Sequence, residues 1–242
     1  MKTSDQTRVP EQDNDRVLVI MAKAPRPGAV KTRLTPSLSP EAVAAFYRCL
    51  LEDTLALARS LGVEVSIMCP SPDANDLAQL AGAEVTVVAQ KGEGLAAGLI
   101  SVFARFAGDH QRRVIAFNSD SPHLPRSVVV DAFEMMVTHD IVVGPTYDGG
   151  YYLVGAKASY PMLFAPDGMS TNSAMEKLLS RARTLDLSVG FVEPFYDVDV
   201  AEDLTRLAAE LRLAPTRAPR TSMWLKEWDL ATAQLRTGAG EL

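Results

Sequence analysis

The sequence predicts an α/β protein, a three-layer α/β/α sandwich around a mostly parallel sheet. Three observations carry that prediction. Apolar runs of strand length alternate almost throughout with longer segments of helical periodicity. The first run, Val17-Leu18-Val19-Ile20-Met21-Ala22, is apolar at every position, as a strand buried on both faces is. It stops abruptly in Lys23-Ala24-Pro25-Arg26-Pro27-Gly28-Ala29-Val30-Lys31-Thr32-Arg33-Leu34, a Pro/Gly loop carrying four cations. In an open parallel sheet, the loop after a strand faces the ligand crevice.

Residues 1–15 are polar and acidic and are expected to form a disordered tail. The first strand, over 17–22, follows. Ser39-Pro40-Glu41 reads as the N-cap, N1 proline and first-turn acid of a helix that apolar positions from Val43 to Ala58 carry to Gly62. Residues 63–69 alternate like a strand, a Pro/Asp/Asn turn precedes a short helix at 76–81, and 84–89 form the next strand. Helix is expected over 95–106, strand over 113–117, helix over 126–137 and strand over 140–143. Strands at 151–155 and 188–194 and helices at 172–183 and 201–213 complete the alternation. Pro215 and Pro219 end this domain, which spans 16–213. Residues 214–242 form an extension in which 222–236 read as an amphipathic helix with Trp224, Leu225, Trp228, Leu230 and Leu235 on its apolar positions. Packing of that helix on its own domain or in a homodimer is left open.

Composition bounds the function. At 242 residues, with 47% hydrophobic and 22% charged residues, the chain has the makeup of one elaborated globular domain. A formal net charge of −6 argues against a nucleic-acid partner, which needs an extended basic surface. No apolar run reaches membrane-spanning length, and the polar start lacks the apolar core of a signal peptide, so a cytoplasmic protein is expected. Cys49 and Cys69 have no metal-ligand spacing and read as small buried hydrophobes. His110, His123 and His139 are scattered, which disfavours a zinc site or a serine-type triad.

Against the basic loop stand three acidic motifs at strand ends. Asn118-Ser119-Asp120-Ser121-Pro122 follows the 113–117 strand, Gly144-Pro145-Thr146-Tyr147-Asp148-Gly149-Gly150 follows 140–143, and Tyr196-Asp197-Val198-Asp199 follows the last strand. Carboxyl ends of parallel strands share one side of the sheet, so these acids can converge there. Mg²⁺ and Mn²⁺ favour one or two carboxylates plus substrate phosphates, and Asp120 with Asp148 or Asp199 would suffice. Each motif also has an ordinary reading: a turn before a helix, an Asp-Gly hairpin turn, and Asp199 as a helix cap. Together with the loop, however, they supply the two halves of a nucleotide-diphosphate site, cations for phosphate oxygens and carboxylates for a metal. Gly94-Leu95-Ala96-Ala97-Gly98 is a weaker signal for close approach of a ribose or base.

Residues 22–34, Ser119-Asp120-Ser121-Pro122-His123-Leu124-Pro125, Gly144 to Leu153 and Tyr196 to Leu204 resemble the motifs of the bacterial DUF2064 family. Its members are described as nucleotide-diphospho-sugar transferases of the GT-A fold, including the glycosyltransferase associated with arsenosugar biosynthesis. The basic loop and late Asp-Val-Asp are also similar to the 2-phospholactate guanylyltransferase group and, more distantly, to molybdenum-cofactor and sugar-phosphate nucleotidyltransferases. Two departures stand out. Gly94 to Gly98 replaces an Asp-Leu-Gly-Glu-Arg-like segment, and Met169 stands where a tryptophan is usual.

The resemblance implies a metal-dependent glycosyltransferase that takes a sugar from a nucleotide-diphospho-sugar to an acceptor. Lys23, Gly28, Lys31 and Arg33 would bind the nucleotide phosphates, Asp120 and Asp199 would ligate Mg²⁺ or Mn²⁺, Asp120 and Asp148 would be catalytic, and Gly149, Gly150 and Tyr151 would meet sugar or acceptor. The alternative is a nucleotidyltransferase that joins a nucleoside triphosphate to a phosphorylated small molecule and releases pyrophosphate. A non-catalytic nucleotide-binding protein is the third reading.

Overall fold

The computed structural model describes residues 15–108, 112–165 and 173–238, with side chains as far as Asp229. The expected tail at 1–15, apart from Asp15, lies outside the described residues, as do His110, Met169 and the start of the 172–183 helix. So do the side chains of Leu230 and Leu235.

Among the described residues seven strands form one sheet: β1 (Arg16–Met21), β2 (Glu64–Cys69), β3 (Thr86–Ala89), β4 (Arg113–Asn118), β5 (Ile141–Pro145), β6 (Tyr151–Ala156) and β7 (Val189–Phe191). Their order is β3-β2-β1-β4-β6-β5-β7. β2, β1 and β4 pair in parallel, as do β2 with β3 and β5 with β7, whereas β6 runs antiparallel between β4 and β5. The mostly parallel sheet expected from the sequence is therefore present, with one reversed strand. The reason is local: residues 146–150 are too few for a crossover and close a hairpin, with Thr146 N–H donating to Gly150 O at 3.0 Å and Gly149 at φ +88°.

Among the described residues seven α-helices accompany the sheet: α1 (Pro40–Arg59), α2 (Ala74–Ala81), α3 (Gly94–Phe106), α4 (Arg126–Met135), α5 (Ala174–Thr184), α6 (Ala201–Leu213) and α7 (Pro219–Gly238). Ser39 caps α1 as expected, its hydroxyl accepting from Ala42 N–H at 3.2 Å. The alternation of side chains along β1 explains why its run is wholly apolar. Leu18 and Ile20 enter a core with α1, α2 and α4, while Val17 and Val19 enter a second core with α3 and α5. Gly98 lets α3 lie close to the sheet, since a Cβ there would sit 2.7 Å from Met21 Cε and 2.8 Å from Gln90 Oε1.

The remaining stripe of α1 answers the question left open for the C-terminal helix. Val43, Phe46, Tyr47 and Leu50 pack with Leu204, Leu207 and Leu225 in a third core that α6 and α7 close. Phe46 meets the Trp224 ring at 4.9 Å between centroids, and Trp224 stacks on Trp228 at 6.2 Å. Asp53, buried on α1, anchors the start of α7 by accepting from Thr221 N–H and Oγ1, both at 2.8 Å, and from Arg220 N–H at 3.2 Å. These contacts satisfy backbone donors in the first turn of α7. Among the described residues no helix is long and apolar enough to cross a membrane.

Candidate functional site

The cleft opens at the carboxyl ends of β1 and β4, where the strand order turns from β3-β2-β1 toward β4, which is where ligands bind in doubly wound sheets. Its volume is 1020 Å³, and ligand pockets commonly run to about 300–1,000 Å³. Met21, Met68, Pro70 and Leu95 supply apolar wall, and Gly92, Glu93 and Gly94 bring the start of α3 to the opposite side. Gln90 shapes that side, its amide Nε2 donating to Gly92 O at 3.0 Å and Gly94 O at 3.1 Å.

The basic loop divides its labour. Lys23, Lys31 and Arg33 line the cleft. Arg26 is turned instead to the start of α2, donating to Asp73 Oδ1 at 2.5 Å, Asp76 Oδ2 at 2.7 Å and Pro72 O at 3.0 Å, so it latches the loop. Gly28, at φ +73°, makes the turn between them and is absent from the cleft wall. Tyr47 of α1 ties this loop to the one after β4: its hydroxyl accepts from Lys23 N–H at 3.2 Å and shares a 2.9 Å hydrogen bond with Ser119 Oγ. Burial pushes the Tyr47 phenol up to about 12, so it stays protonated.

At the centre, Lys31 Nζ lies 2.8 Å from Asp120 Oδ2 and 2.6 Å from Asp199 Oδ1. Arg33 Nη1 reaches Asp199 Oδ2 at 3.5 Å from a largely exposed position. The Lys31 side chain is only 6% exposed, and its backbone is left-handed, at φ 45° and ψ 41°. A non-glycine residue there costs about 1–3 kcal/mol and persists only where its surroundings hold it. Burial pulls the ammonium pKa down, but Asp120 and Asp199 outweigh it and hold the group above its ordinary value. Asp199 is free for this pairing because Asp203, not Asp199, caps α6, accepting from Asp199 N–H and Val200 N–H at 2.9 Å each.

Asp197 is the member that sequence reasoning quoted but gave no role. Its Oδ1 accepts from Asn118 Nδ2 at 2.7 Å and Ser121 Oγ at 3.3 Å. Burial, with Asp120 close by, pushes its carboxyl up to about 7 against the pull of Lys31. The available signal was spacing, since residues two apart in extended chain share a face and Asp197 and Asp199 flank Val198.

Asp148 is placed elsewhere. Its Oδ1 accepts from Thr146 Oγ1 at 2.5 Å and Gly150 N–H at 3.3 Å inside the β5–β6 turn. That turn leads into β6, the neighbour of β4, so it lies beside the strand end that carries Asp120. Asp148, Gly149, Gly150 and Tyr151 share the cleft's edge of the sheet but do not line the cleft, and Tyr151 packs against the α3–α5 core. Gly149 O also accepts from Met175 N–H at 3.1 Å, fixing the turn to α5.

Mg²⁺ or Mn²⁺ would find hard oxygen donors in Asp120 and Asp199, and the Lys31 ammonium, held by both, marks the place as one built for positive charge. Among the described residues no three His, Cys, Asp or Glu groups gather to hold an ion. The donor set therefore fits a metal held by two carboxylates and completed by a ligand's phosphates.

Behind Asp197, the buried His123 ring packs on Phe195 and Tyr196, each 4.8 Å away between centroids, and the Arg206 guanidinium lies 3.7 Å over Tyr196. Among the described residues, neither His123 nitrogen has a hydrogen-bond partner. Burial, with Arg206 and Arg217, pushes its pKa down to about 3, so His123 is neutral near pH 7 and its 3.7 Å approach to Glu210 is no ion pair there. The unfolded chain protonates this histidine near 6.5 and the folded chain only near 3. Its contribution is therefore present above pH 6.5 and is lost as pH falls toward 3, by up to about 1.4 kcal/mol per pH unit. Denaturant titrations of His123→Phe across pH 3–7 should show a shallower loss than wild type, and equal slopes would mean that His123 does not set the acid limb.

Residues 54–171 match the family model of DUF2064, "Uncharacterized protein conserved in bacteria". The chain is similar to a "putative nucleotide-diphospho-sugar transferase" from Desulfovibrio desulfuricans G20, with 27% identity and a TM-score of 0.83 over 91% of this chain and 98% of the other. It shares its fold with a nucleotidyl transferase from Methanothermobacter thermautotroptrophicus, at 17% identity and a TM-score of 0.57 over 83% and 99% of the two chains. The inositol-1-phosphate CTP transferase from T. maritima is alike in fold too, at 14% identity and 0.57 over 82% and 94%. No curated protein sequence matches the chain. Residues 54–171 thus match DUF2064, and the fold is of the sugar- and nucleotidyl-transferase type of α/β architecture.

Proposed function

We propose that this protein is a glycosyltransferase that binds a nucleotide-diphospho-sugar with Mg²⁺ or Mn²⁺ and transfers the sugar to an acceptor hydroxyl. The observation that carries the reading is the grouping of Lys31, Asp120 and Asp199 in the cleft at the β1–β4 switch point. Likeness across nearly the whole chain to the Desulfovibrio protein supports the sugar-transferase choice.

In this reading Lys31, Arg33 and Lys23 hold the diphosphate oxygens, and the apolar wall with the start of α3 receives the nucleoside. Asp120 and Asp199 hold the ion. When bound, a divalent ion supplies positive charge that stabilises the departing diphosphate. The bond between anomeric carbon and diphosphate oxygen breaks, the acceptor oxygen bonds to that carbon, and the acceptor proton leaves to a base. Asp148, on the neighbouring turn, is the proposed base, with Gly149, Gly150 and Tyr151 toward sugar and acceptor.

The test is product analysis with Mn²⁺ or Mg²⁺ and panels of nucleoside triphosphates and nucleotide-sugars. Slow release of a nucleoside diphosphate from one nucleotide-sugar is the expected result. Pyrophosphate released from a triphosphate in the presence of a sugar phosphate or phospholactate would instead establish the nucleotidyltransferase, which uses the same cations and acids. Metal-dependent binding with neither product would make the protein a nucleotide-binding module.

A further inference from the structure

Lys31 is held in a way that a simple phosphate-binding lysine does not require. A group waiting for phosphate gains from standing free in the cleft, yet this ammonium is almost wholly buried and held by two carboxylates at 2.8 and 2.6 Å. Those are the two carboxylates that fit a divalent ion. Arg33, with its side chain 67% exposed and only 3.5 Å from Asp199, is the cation that stands ready for an incoming anion.

We propose that Lys31 is a resident counter-cation for the Asp120–Asp199 pair, which keeps divalent metal out until a ligand with a diphosphate draws the ammonium away. The inference rests on the reading of Asp120 and Asp199 as metal ligands and adds a rule of entry to it. Asp120 and Asp199 carry two negative charges, and Lys31 returns one. A divalent ion arriving alone must push the ammonium off both carboxylates and leave a positive charge beside the ion without an anion of its own, which is costly for a side chain only 6% exposed. A diphosphate removes that cost, because the ammonium exchanges carboxylate oxygens for phosphate oxygens and stays paired. Each cation then faces an anion. Metal and diphosphate therefore bind with positive coupling, and by linkage each strengthens the other equally. A nucleoside or free sugar lacks the charge to move Lys31 and leaves the pair closed.

The experiment measures Mn²⁺ bound to wild-type protein, Lys31→Met and Lys31→Arg by the electron paramagnetic resonance signal of the free ion. It is run without ligand, with uridine, and with each of UDP, CDP, GDP and ADP, and chelation by each nucleotide is subtracted from protein-free controls. Without ligand, Lys31→Met should bind Mn²⁺ more tightly than wild type, by about 5- to 150-fold, the range typical of coupled sites. Lys31→Arg, which keeps the charge, should stay at least as weak as wild type. In the wild type itself, one or more of the diphosphates should raise Mn²⁺ affinity within that range and uridine should not, a measurement that stands even if Lys31→Met fails to fold. Equal ligand-free affinity in folded Lys31→Met and wild type, or wild-type Mn²⁺ affinity indifferent to all four diphosphates, overturns the inference while leaving a metal site in place. Absence of Mn²⁺ binding in every condition overturns the metal-dependent reading of the cleft, and this inference with it.

Discussion

Asp120→Asn is expected to lower turnover by about two to four orders of magnitude, the rate equivalent of the several kcal/mol that a catalytic ion contributes. Asparagine keeps the shape of the side chain and removes the charge that faces Lys31 at 2.8 Å. The fold should survive, because the Asp120 side chain is 25% exposed and Lys31 retains Asp199. Turnover and metal-dependent nucleotide binding should fall together while the melting curve stays close to wild type. Wild-type turnover in the variant would remove Asp120 from the chemistry. Collapse of the melting transition would show that the Lys31 pairing serves the fold.

The largest stability effect is expected from Phe46→Ala. Phe46 is fully buried on α1 and stands under Trp224, so truncation deletes a large side chain and undercuts the docking of α7. Burial of this kind costs about 3–5 kcal/mol to remove, a large part of the roughly 5–15 kcal/mol that stabilises a typical domain. The readout is specific, because the protein has only two tryptophans, Trp224 and Trp228, and both lie on α7. Their emission should shift to the red, and the denaturant midpoint should fall. An unchanged spectrum with a normal midpoint would show that α7 holds its place without this contact, through Leu225 and the Asp53 anchor.

Much of the fold was legible because it is set by short-range rules. An apolar run bounded by Pro and Gly made β1 visible, Ser39-Pro40-Glu41 marked the start of α1, and Asp148-Gly149 marked a hairpin turn, all from interactions within a few residues. Placement of Lys23, Lys31, Arg33 and Asp120 in one cleft followed from a second rule, that strand ends of a parallel sheet share an edge, whereas Asp199 reaches it on the segment that returns from β7 at the far side of the sheet. Asp148 sits at that edge as well, on the turn into the reversed strand β6 beside β4, but outside the cleft wall.

The sequence alone thus determined the order and kind of the elements, the cap of α1 and the charge of the loop after β1, since backbone propensity and side-chain alternation act locally. Tertiary structure decided the rest. It turned Arg26 to Asp73 and Asp76, gave the capping of α6 to Asp203, buried Asp197, set α7 on α1, and brought Lys31 between two carboxylates far apart in the chain, at 120 and 199. Burial and pairing of charge depend on which strands become neighbours, and that is settled by the packing of the whole sheet and its helices, not by any stretch of residues read in order.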